Sequence, residues 1–188
     1  MERILKLRER FGNRFTIRVD ANQGYSLNDL KFFIQGTQSA DIELIEQPLL
    51  VGEEAQLLEL APSIRKILTA DEVLKTATNA LQLAQQPQPY GIYNIKLMKC
   101  GGISGAMELA TIARNAGIDL FWGCNDESIV SITAALHAAF ANEHTRYIDL
   151  DGSLDLAIDV VNGGFILENG MMRVNGMPGL GVMMNEER

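Results

Sequence analysis

The stretch FTIRVDAN, residues 15–22, is a short apolar and β-branched run that leads into a carboxylate, and the chain repeats this arrangement. Comparable runs follow as IELIEQPL at 42–49, ILTADE at 67–72, IYNIKLMKCGG at 92–102, LFWGCND at 120–126 and RYIDLDG at 146–152. Such runs are typical of buried β-strands. Segments of helical period lie before and between them, at residues 2–12, 27–38, 53–64, 74–85, 104–116 and 128–142. This alternation predicts a parallel sheet covered by helices.

Polar residues recur once per unit near the C-terminal ends of the predicted strands. Asp20, Glu46, Asp71 and Lys96 are separated by 26, 25 and 25 residues. Enzymes built on a (β/α)8 barrel assemble their chemistry from these strand ends, and eight units need about 250 residues. We therefore predict an α/β chain that forms a partial (β/α)8 barrel of the TIM type with about six parallel βα units. A doubly wound open sheet is the alternative, but no G-x-G-x-x-G turn follows a predicted strand.

The last part of the chain departs from the repeat. Residues 154–188 contain Gly-Gly, Asn-Gly and Pro-Gly pairs around short apolar runs, a pattern that indicates a β-hairpin and an irregular return segment. We predict a partial barrel over residues 1–153, and we assign residues 154–188 to the same domain.

Composition and charge exclude several classes of protein. The chain has 188 residues, of which 47% are hydrophobic and 21% charged, a balance typical of a globular domain. Its formal net charge of −8 disfavours a nucleic-acid partner. No apolar stretch reaches the roughly 18 residues of a membrane helix, the first residues lack a signal-peptide pattern, and two cysteines are too few for a disulfide framework. We therefore expect a cytoplasmic protein that acts on a small molecule, without a membrane partner.

The side-chain alternation of the strands brings the recurring acids together. Asp20, Glu46 and Asp71 each point to the side of the sheet opposite the helices. Three carboxylates on adjacent strands raise one another's pKa and lose hydration, so a bound cation is expected. Oxygen ligands without paired His or Cys favour Mg²⁺, with Mn²⁺ as the alternative and Zn²⁺ disfavoured.

Two lysines flank the end of the fourth predicted strand. Lys96 lies between apolar neighbours and shares a face with Asn94, so it should point to the same rim as the acids. A partly desolvated lysine beside a cation can act as a general base near neutral pH. Lys99, next to Gly101 and Gly102, is expected to be exposed to solvent. A metal and a base together suggest proton abstraction next to a carboxylate.

The segments VDANQGY, IEQPL, ADE, NIKLMKCGG and PGLGV resemble the enolase superfamily, in its muconate lactonizing and mandelate racemase-like branch. The resemblance runs over essentially the whole chain. It implies that Asp20, Glu46 and Asp71 bind Mg²⁺, which holds a substrate carboxylate. It also implies that Lys96 removes or returns the α-proton through an enediolate.

Within that branch, two segments resemble dipeptide epimerases of the L-Ala-D/L-Glu type. YIDLDG matches a D-x-D on the last barrel strand, which implies that Asp149 and Asp151, on one strand face, bind the α-ammonium of a dipeptide. Cys124 to Ser128 match a Cys-x-x-Glu-Ser segment, which implies that Cys124 and Glu127 contact the substrate. A cycloisomerase or an o-succinylbenzoate synthase-like lyase of the same superfamily is the first alternative.

Some features of the family have no counterpart in these 188 residues. The family has a capping domain and two earlier barrel strands, the second of which carries a Lys-x-Lys with the opposing base. Epimerisation needs an acid and a base on opposite faces of the carbon, so a catalytically silent fragment is the second alternative. An arc of six strands would also leave two free edges, and we expect two copies to pair across this gap.

Overall fold

The computed structural model describes residues 1–185 and contains a six-stranded parallel sheet. Its strands occur in chain order: β1 (Ile17–Asp20), β2 (Ile42–Glu46), β3 (Leu68–Ala70), β4 (Ile92–Ile95), β5 (Asp119–Trp122) and β6 (Thr145–Ile148). All five pairings are parallel, and Asp20 pairs with Glu46 at the end of the first one. The α/β fold and the six-unit partial barrel predicted from the sequence are confirmed.

Within residues 1–185, seven α-helices connect or flank the strands. They are α1 (Glu2–Phe11), α2 (Leu27–Gly36), α3 (Pro62–Arg65), α4 (Ala77–Leu83), α5 (Leu97–Cys100), α6 (Gly102–Ala116) and α7 (Ile129–Phe140). Four short 3₁₀ segments add to them: Gly12–Arg14, Gln38–Ala40, Glu54–Glu59 and Gly152–Asp155. The described residues contain no helix that is both long and apolar enough to cross a membrane.

The predicted helix at 53–64 is wrong as a single element. The structure has a 3₁₀ segment there, and α3 begins only at Pro62. Proline lacks an N–H and clashes with the preceding turn of a helix, but it is well suited to the first helical position. The next helix, predicted at 74–85, begins only at Ala77. Thr76 caps it by accepting a hydrogen bond from the Asn79 N–H.

All six predicted strands are shorter in the structure, and the early ends of β4 and β6 matter most for the site. β4 stops at Ile95, and the chain turns at once into α5, which ends at Gly101 in the left-handed conformation. β6 stops at Ile148, so Asp149 and Asp151 lie in the loop that follows and not on the strand. Both changes move functional side chains off the strands and onto loops above them.

The sheet separates two apolar clusters. A large core fills the space between the sheet and the helices, and Val19 packs against it. A small cluster of Leu44, Ile92 and Phe121 lies on the opposite face. The sheet is curled, since the Arg18 guanidinium on β1 donates to the Ile148 carbonyl on β6 over 3.2 Å. The small cluster is therefore the interior of the partial barrel.

The C-terminal tail, described over residues 154–185, forms two small antiparallel sheets. The strands β7 (Val161–Gly163) and β10 (Val182–Met184) pair, as do β8 (Phe165–Glu168) and β9 (Met171–Val174). The β8–β9 turn has Asn169 and Gly170 at φ angles of 52° and 74°, the backbone that Asn-Gly hairpin turns favour. The tail contacts the partial barrel through Phe165 and Met172, which pack against the large core.

Candidate metal and substrate site

A cavity of about 250 Å³ opens at the C-terminal ends of the strands. Five charged residues predicted from the sequence line it: Asp20, Glu46, Lys96, Asp149 and Asp151. Cys124 and the interior residues Arg18, Asn94 and Phe121 also line it. Asp71 and Glu127 lie outside this cavity lining. The structure thus gathers most of the predicted site residues at one rim.

Glu46 is a buried carboxylate. Only 7% of its surface is exposed, and the Asn94 amide donates to Glu46 Oε1 over 2.6 Å. Burial raises the pKa of Glu46, the Asn94 hydrogen bond opposes this change, and the nearby Asp20 charge adds to it. A cation at this position would compensate for the hydration that the Glu46 carboxylate loses on burial. It would also offset the repulsion between Glu46 and Asp20.

Asp71 is held between two ammonium groups. Its Oδ2 accepts a hydrogen bond from Lys96 Nζ over 2.9 Å, and its Oδ1 pairs with Lys99 Nζ. Asp71 is 5% exposed, so these ion pairs are largely shielded from water. Lys96 therefore faces the acids, as predicted, although it lies one residue beyond β4.

The prediction that Lys99 is exposed is wrong. Its side chain is 14% exposed, because the short turn of α5 folds back over the strand ends. Lys99 Nζ also donates to the Asp71 carbonyl over 2.8 Å. Burial lowers the pKa of Lys99 to about 8, and the charges of Glu46, Cys100 and Asp20 oppose this change.

Asp20 is the exposed member of the three acids. Its Oδ1 accepts the Asn22 backbone N–H over 2.9 Å, and its Oδ2 accepts the Asn22 amide over 2.8 Å. The strand register sets it beside Glu46. Asn22 holds the carboxylate in one orientation, with its free lone pairs available to a ligand.

These residues fit a hard divalent cation by the chemistry of their donors. Within residues 1–185, His, Cys, Asp and Glu side chains do not gather in a group of three or more at ligand spacing. Asn94 Oδ1 is nevertheless a buried acceptor without a partner. Position 123 is a glycine, and a Cβ there would lie 2.3 Å from that same oxygen, so the glycine leaves the space beside the oxygen open. Asp20, Glu46 and Asp71 could hold Mg²⁺ once the lysines release the Asp71 oxygens.

The two acids after β6 form the other side of the cavity. Asp149 and Asp151 are both exposed. Partial burial raises the pKa of Asp149, and the Asp151 charge adds to this effect. Arg18 and Lys96 oppose it from the barrel interior. A substrate ammonium between these two carboxylates would gain a pair of hydrogen-bond acceptors.

Cys124 ties this loop to the loop after β5. Its Sγ lies 3.3 Å from the Asp149 carbonyl, to which it donates, and it accepts the Gly152 N–H over 3.3 Å. Burial raises the pKa of Cys124 to about 11, so the thiol keeps its proton and can donate. A Cβ at Gly152 would lie 1.9 Å from the Asn125 carbonyl, so only glycine permits this close approach.

Glu127 faces its own loop and lies 5% exposed. Its Oε1 accepts the Asn125 N–H over 2.8 Å, and its Oε2 pairs with the Ser131 hydroxyl. Next to it, Ser128 caps α7 and bonds to Asp159 from the tail over 2.8 Å. One carboxylate oxygen of Glu127 is thus engaged by the loop that carries Cys124, and the other by the first turn of α7.

The sequence reasoning assigned no role to Arg18 or Asn94. The Arg18 guanidinium lies 5.6 Å from the Phe121 ring centre and 5.3 Å from that of Tyr147. It also pairs with Glu43 over 2.6 Å. The available signal was strand alternation, which puts Arg18 on the same face as Asp20 and Asn94 on the same face as Lys96.

Comparisons with known proteins show which family this chain resembles. The family model "Enolase C-terminal domain-like" matches residues 1–188. An L-Lys-D/L-Arg epimerase of Desulforapulum autotrophicum is 54% identical over 97% of this chain and 51% of its own length. An L-Ala-D/L-Glu epimerase of Bacillus subtilis is 34% identical over 96% of this chain and 50% of its own length.

A solved structure extends the comparison. It is a dipeptide epimerase from Methylococcus capsulatus complexed with Mg and the dipeptide L-Arg-D-Lys, and it matches with a TM-score of 0.93 and 52% identity. The match covers 96% of this chain and 51% of that one. This chain thus spans about half the length of the curated relatives it matches. The family model and these relatives show that the chain belongs to the enolase C-terminal domain-like family, in the muconate lactonizing and mandelate racemase-like branch of the enolase superfamily.

Proposed function

We propose that this chain carries the metal-binding and base-bearing part of a Mg²⁺-dependent dipeptide epimerase. The observation that carries the proposal is the contact of Lys96 with Asp71 at a rim that also holds Glu46. Asp20, Glu46 and Asp71 would hold Mg²⁺, with Mn²⁺ as a substitute. The bound metal supplies a positive charge for the substrate carboxylate.

The proposed chemistry is a 1,1-proton transfer at the α-carbon. Lys96, as the neutral amine, takes the α-proton and becomes an ammonium, while the C–H electron pair moves into the substrate carboxylate to give an enediolate. A proton returned to the opposite face inverts the carbon, and this step needs a second acid. In the family, a lysine of the earlier Lys-x-Lys has this role.

For the substrate, we favour a dipeptide with cationic side chains. The greater similarity to the L-Lys-D/L-Arg epimerase supports this choice over the L-Ala-D/L-Glu type predicted from the sequence. Asp149 and Asp151 would bind the α-ammonium, and Cys124 and Glu127 would shape the loops around it. Asp126, an exposed acid on the loop after β5, adds negative charge on this side.

Exchange of the α-proton in D₂O tests the function directly. The chain is mixed with Mg²⁺ and either L-Lys-L-Arg or L-Ala-L-Glu, and loss of the α-proton signal is followed by NMR. We expect faster exchange with the cationic dipeptide and none after EDTA treatment. Equal rates with both dipeptides would contradict the substrate preference, and exchange that EDTA leaves intact would contradict the metal dependence.

The same experiment separates the alternatives. Exchange without inversion would identify Lys96 as a base that works without its opposing partner. A cycloisomerase or an o-succinylbenzoate synthase-like lyase would give no α-proton exchange with dipeptides and would act on its own carboxylate substrate. Mn²⁺ binding without any exchange would support a catalytically silent fragment.

The cytoplasmic location and the pairing of two copies remain predictions. Within the described residues, β1 and β6 are the outer strands of the sheet, and each has a free edge. Sedimentation at micromolar concentration tests the pairing. A monomer throughout that range would contradict it.

A further inference from the structure

The side chain of Gln47 is a buried amide between Glu46 and Asp71, the two buried acids of the site. It follows Glu46 at the end of β2, and none of its surface is exposed. Its backbone is in the left-handed region, with a φ of 31°. A non-glycine residue keeps such a conformation only where its surroundings fix it.

The Gln47 side chain continues the connection between β2 and β3 beyond the last strand pair. The β2–β3 register ends with Glu46 opposite Thr69, and Asp71 lies two residues further on. There, Gln47 Oε1 accepts the Asp71 N–H over 3.0 Å and the Val73 N–H over 3.3 Å. The amide oxygen thus replaces the strand carbonyls that no longer reach Asp71.

The nitrogen of the same amide is anchored on the other side. Gln47 Nε2 donates to the Leu49 carbonyl over 3.1 Å and to the Tyr90 hydroxyl over 3.2 Å. Tyr90 is 1% exposed and lies just before β4. Three of these four hydrogen bonds are buried, and the one to Val73 is partly buried. Together they fix the amide and, through its oxygen, the backbone of Asp71.

We propose that Gln47 is a positioning residue for the metal site, which sets the Asp71 carboxylate at a fixed place relative to Glu46. The inference rests on the proposed function, because it assumes that these two acids bind the same ion. A partner that orients a ligand in this way is worth about 10- to 100-fold in metal affinity.

The test measures Mn²⁺ affinity by electron paramagnetic resonance, beside the thermal midpoint of each variant. Gln47→Met keeps the side-chain length but removes the donor and acceptor pair, and we expect about tenfold weaker Mn²⁺ binding. Gln88→Met is the matched control, since the Gln88 amide also bonds a backbone carbonyl, that of Ala116, over 2.9 Å. It lies before β4, at the end of the strand opposite Lys96, and does not line the cavity, so Mn²⁺ affinity should be unchanged.

A milder variant guards against a folding defect. Tyr90→Phe removes one anchor of the Gln47 amide and should weaken Mn²⁺ binding about two- to threefold, in line with the loss of one neutral hydrogen bond. Wild-type affinity in Gln47→Met, or in Tyr90→Phe if Gln47→Met does not fold, overturns the inference alone. A wild-type chain that binds no Mn²⁺ overturns the metal site and this inference together.

Discussion

The two sides of the candidate site differ in burial and in how their carboxylates are held. On the β2–β4 side, Glu46 and Asp71 are 7% and 5% exposed, and Asn94, Lys96 and Lys99 contact their oxygens directly. On the β6 side, Asp149 and Asp151 are exposed on a loop that Cys124 holds by its backbone. After their proposed roles, we call these the metal side and the ammonium side.

The difference fits the two roles proposed for these sides. Moving an α-proton needs charges that act at short range in a dry environment with fixed geometry. Binding a substrate ammonium needs accessible acceptors that the substrate itself can dehydrate. Changes on the metal side should therefore impair the chemical step, and changes on the ammonium side should impair binding.

The largest expected effect is on the metal side. Lys96→Met removes the proposed base, and α-proton exchange should fall about 10³-fold, within the range of general base catalysis. The exposed Lys75 offers the control Lys75→Met, which should exchange normally. Exchange at the wild-type rate in Lys96→Met would show that another group removes the proton.

The next effect is on the ammonium side. Asp149→Asn removes one of two carboxylates from the proposed subsite, and KM for a dipeptide should rise at least about tenfold, since a hydrogen bond to a charged group is worth about 1.5–3 kcal/mol. Asp155→Asn changes an exposed acid of the same loop region and should leave KM unchanged. Unaltered dipeptide kinetics in Asp149→Asn would refute the epimerase subsite.

A smaller effect tests the link between the two loops. Cys124→Ala frees the Asp149 carbonyl and the Gly152 N–H, so KM should rise about threefold with kcat largely kept. Cys100→Ala, with longer sulfur contacts of 3.7 and 3.9 Å, is the control. A loss of kcat without a change in KM would place Cys124 on the metal side.

The smallest effect concerns the tail. Asp159 accepts the Ile129 N–H over 2.6 Å at the start of α7, and although partial burial favours its neutral form, this bond and the Ser128 hydroxyl lower its pKa. A lowered pKa stabilises the fold above the ordinary value of 3.8, and this contribution is lost as the pH falls through the folded value. Asp159→Asn should reduce the thermal midpoint at pH 7 by about 2–4 °C.

The pH dependence supplies the check on this last variant. The difference from the wild type should shrink as the pH falls below the ordinary value of 3.8, because the advantage of the charged form then decreases. Thermal midpoints measured at pH 7 and at pH 3 test this, with Asp155→Asn as a control. A difference that stays constant with pH would assign the effect to packing.

Strand alternation sufficed to predict the face on which Asp20, Glu46, Asp71 and Lys96 meet, since side chains two residues apart share a face. It could not predict Lys99, because that required knowing that β4 ends at Ile95 and that α5 folds back. Glu127 lies outside the cavity lining for a similar reason: its partners are Asn125 in its own loop and Ser131 in α7.

The sequence by itself determined the six-unit repeat, the residue types at the strand ends and the resemblance to a family, because these depend on local period and spacing. Only the tertiary structure decided where each strand stops and which loop side chains turn inward. Gln47 shows the reason: its amide bonds Asp71 and Tyr90, which are 24 and 43 residues away in the chain. No local pattern specifies such contacts, because they form only when the neighbouring strands end at the same level.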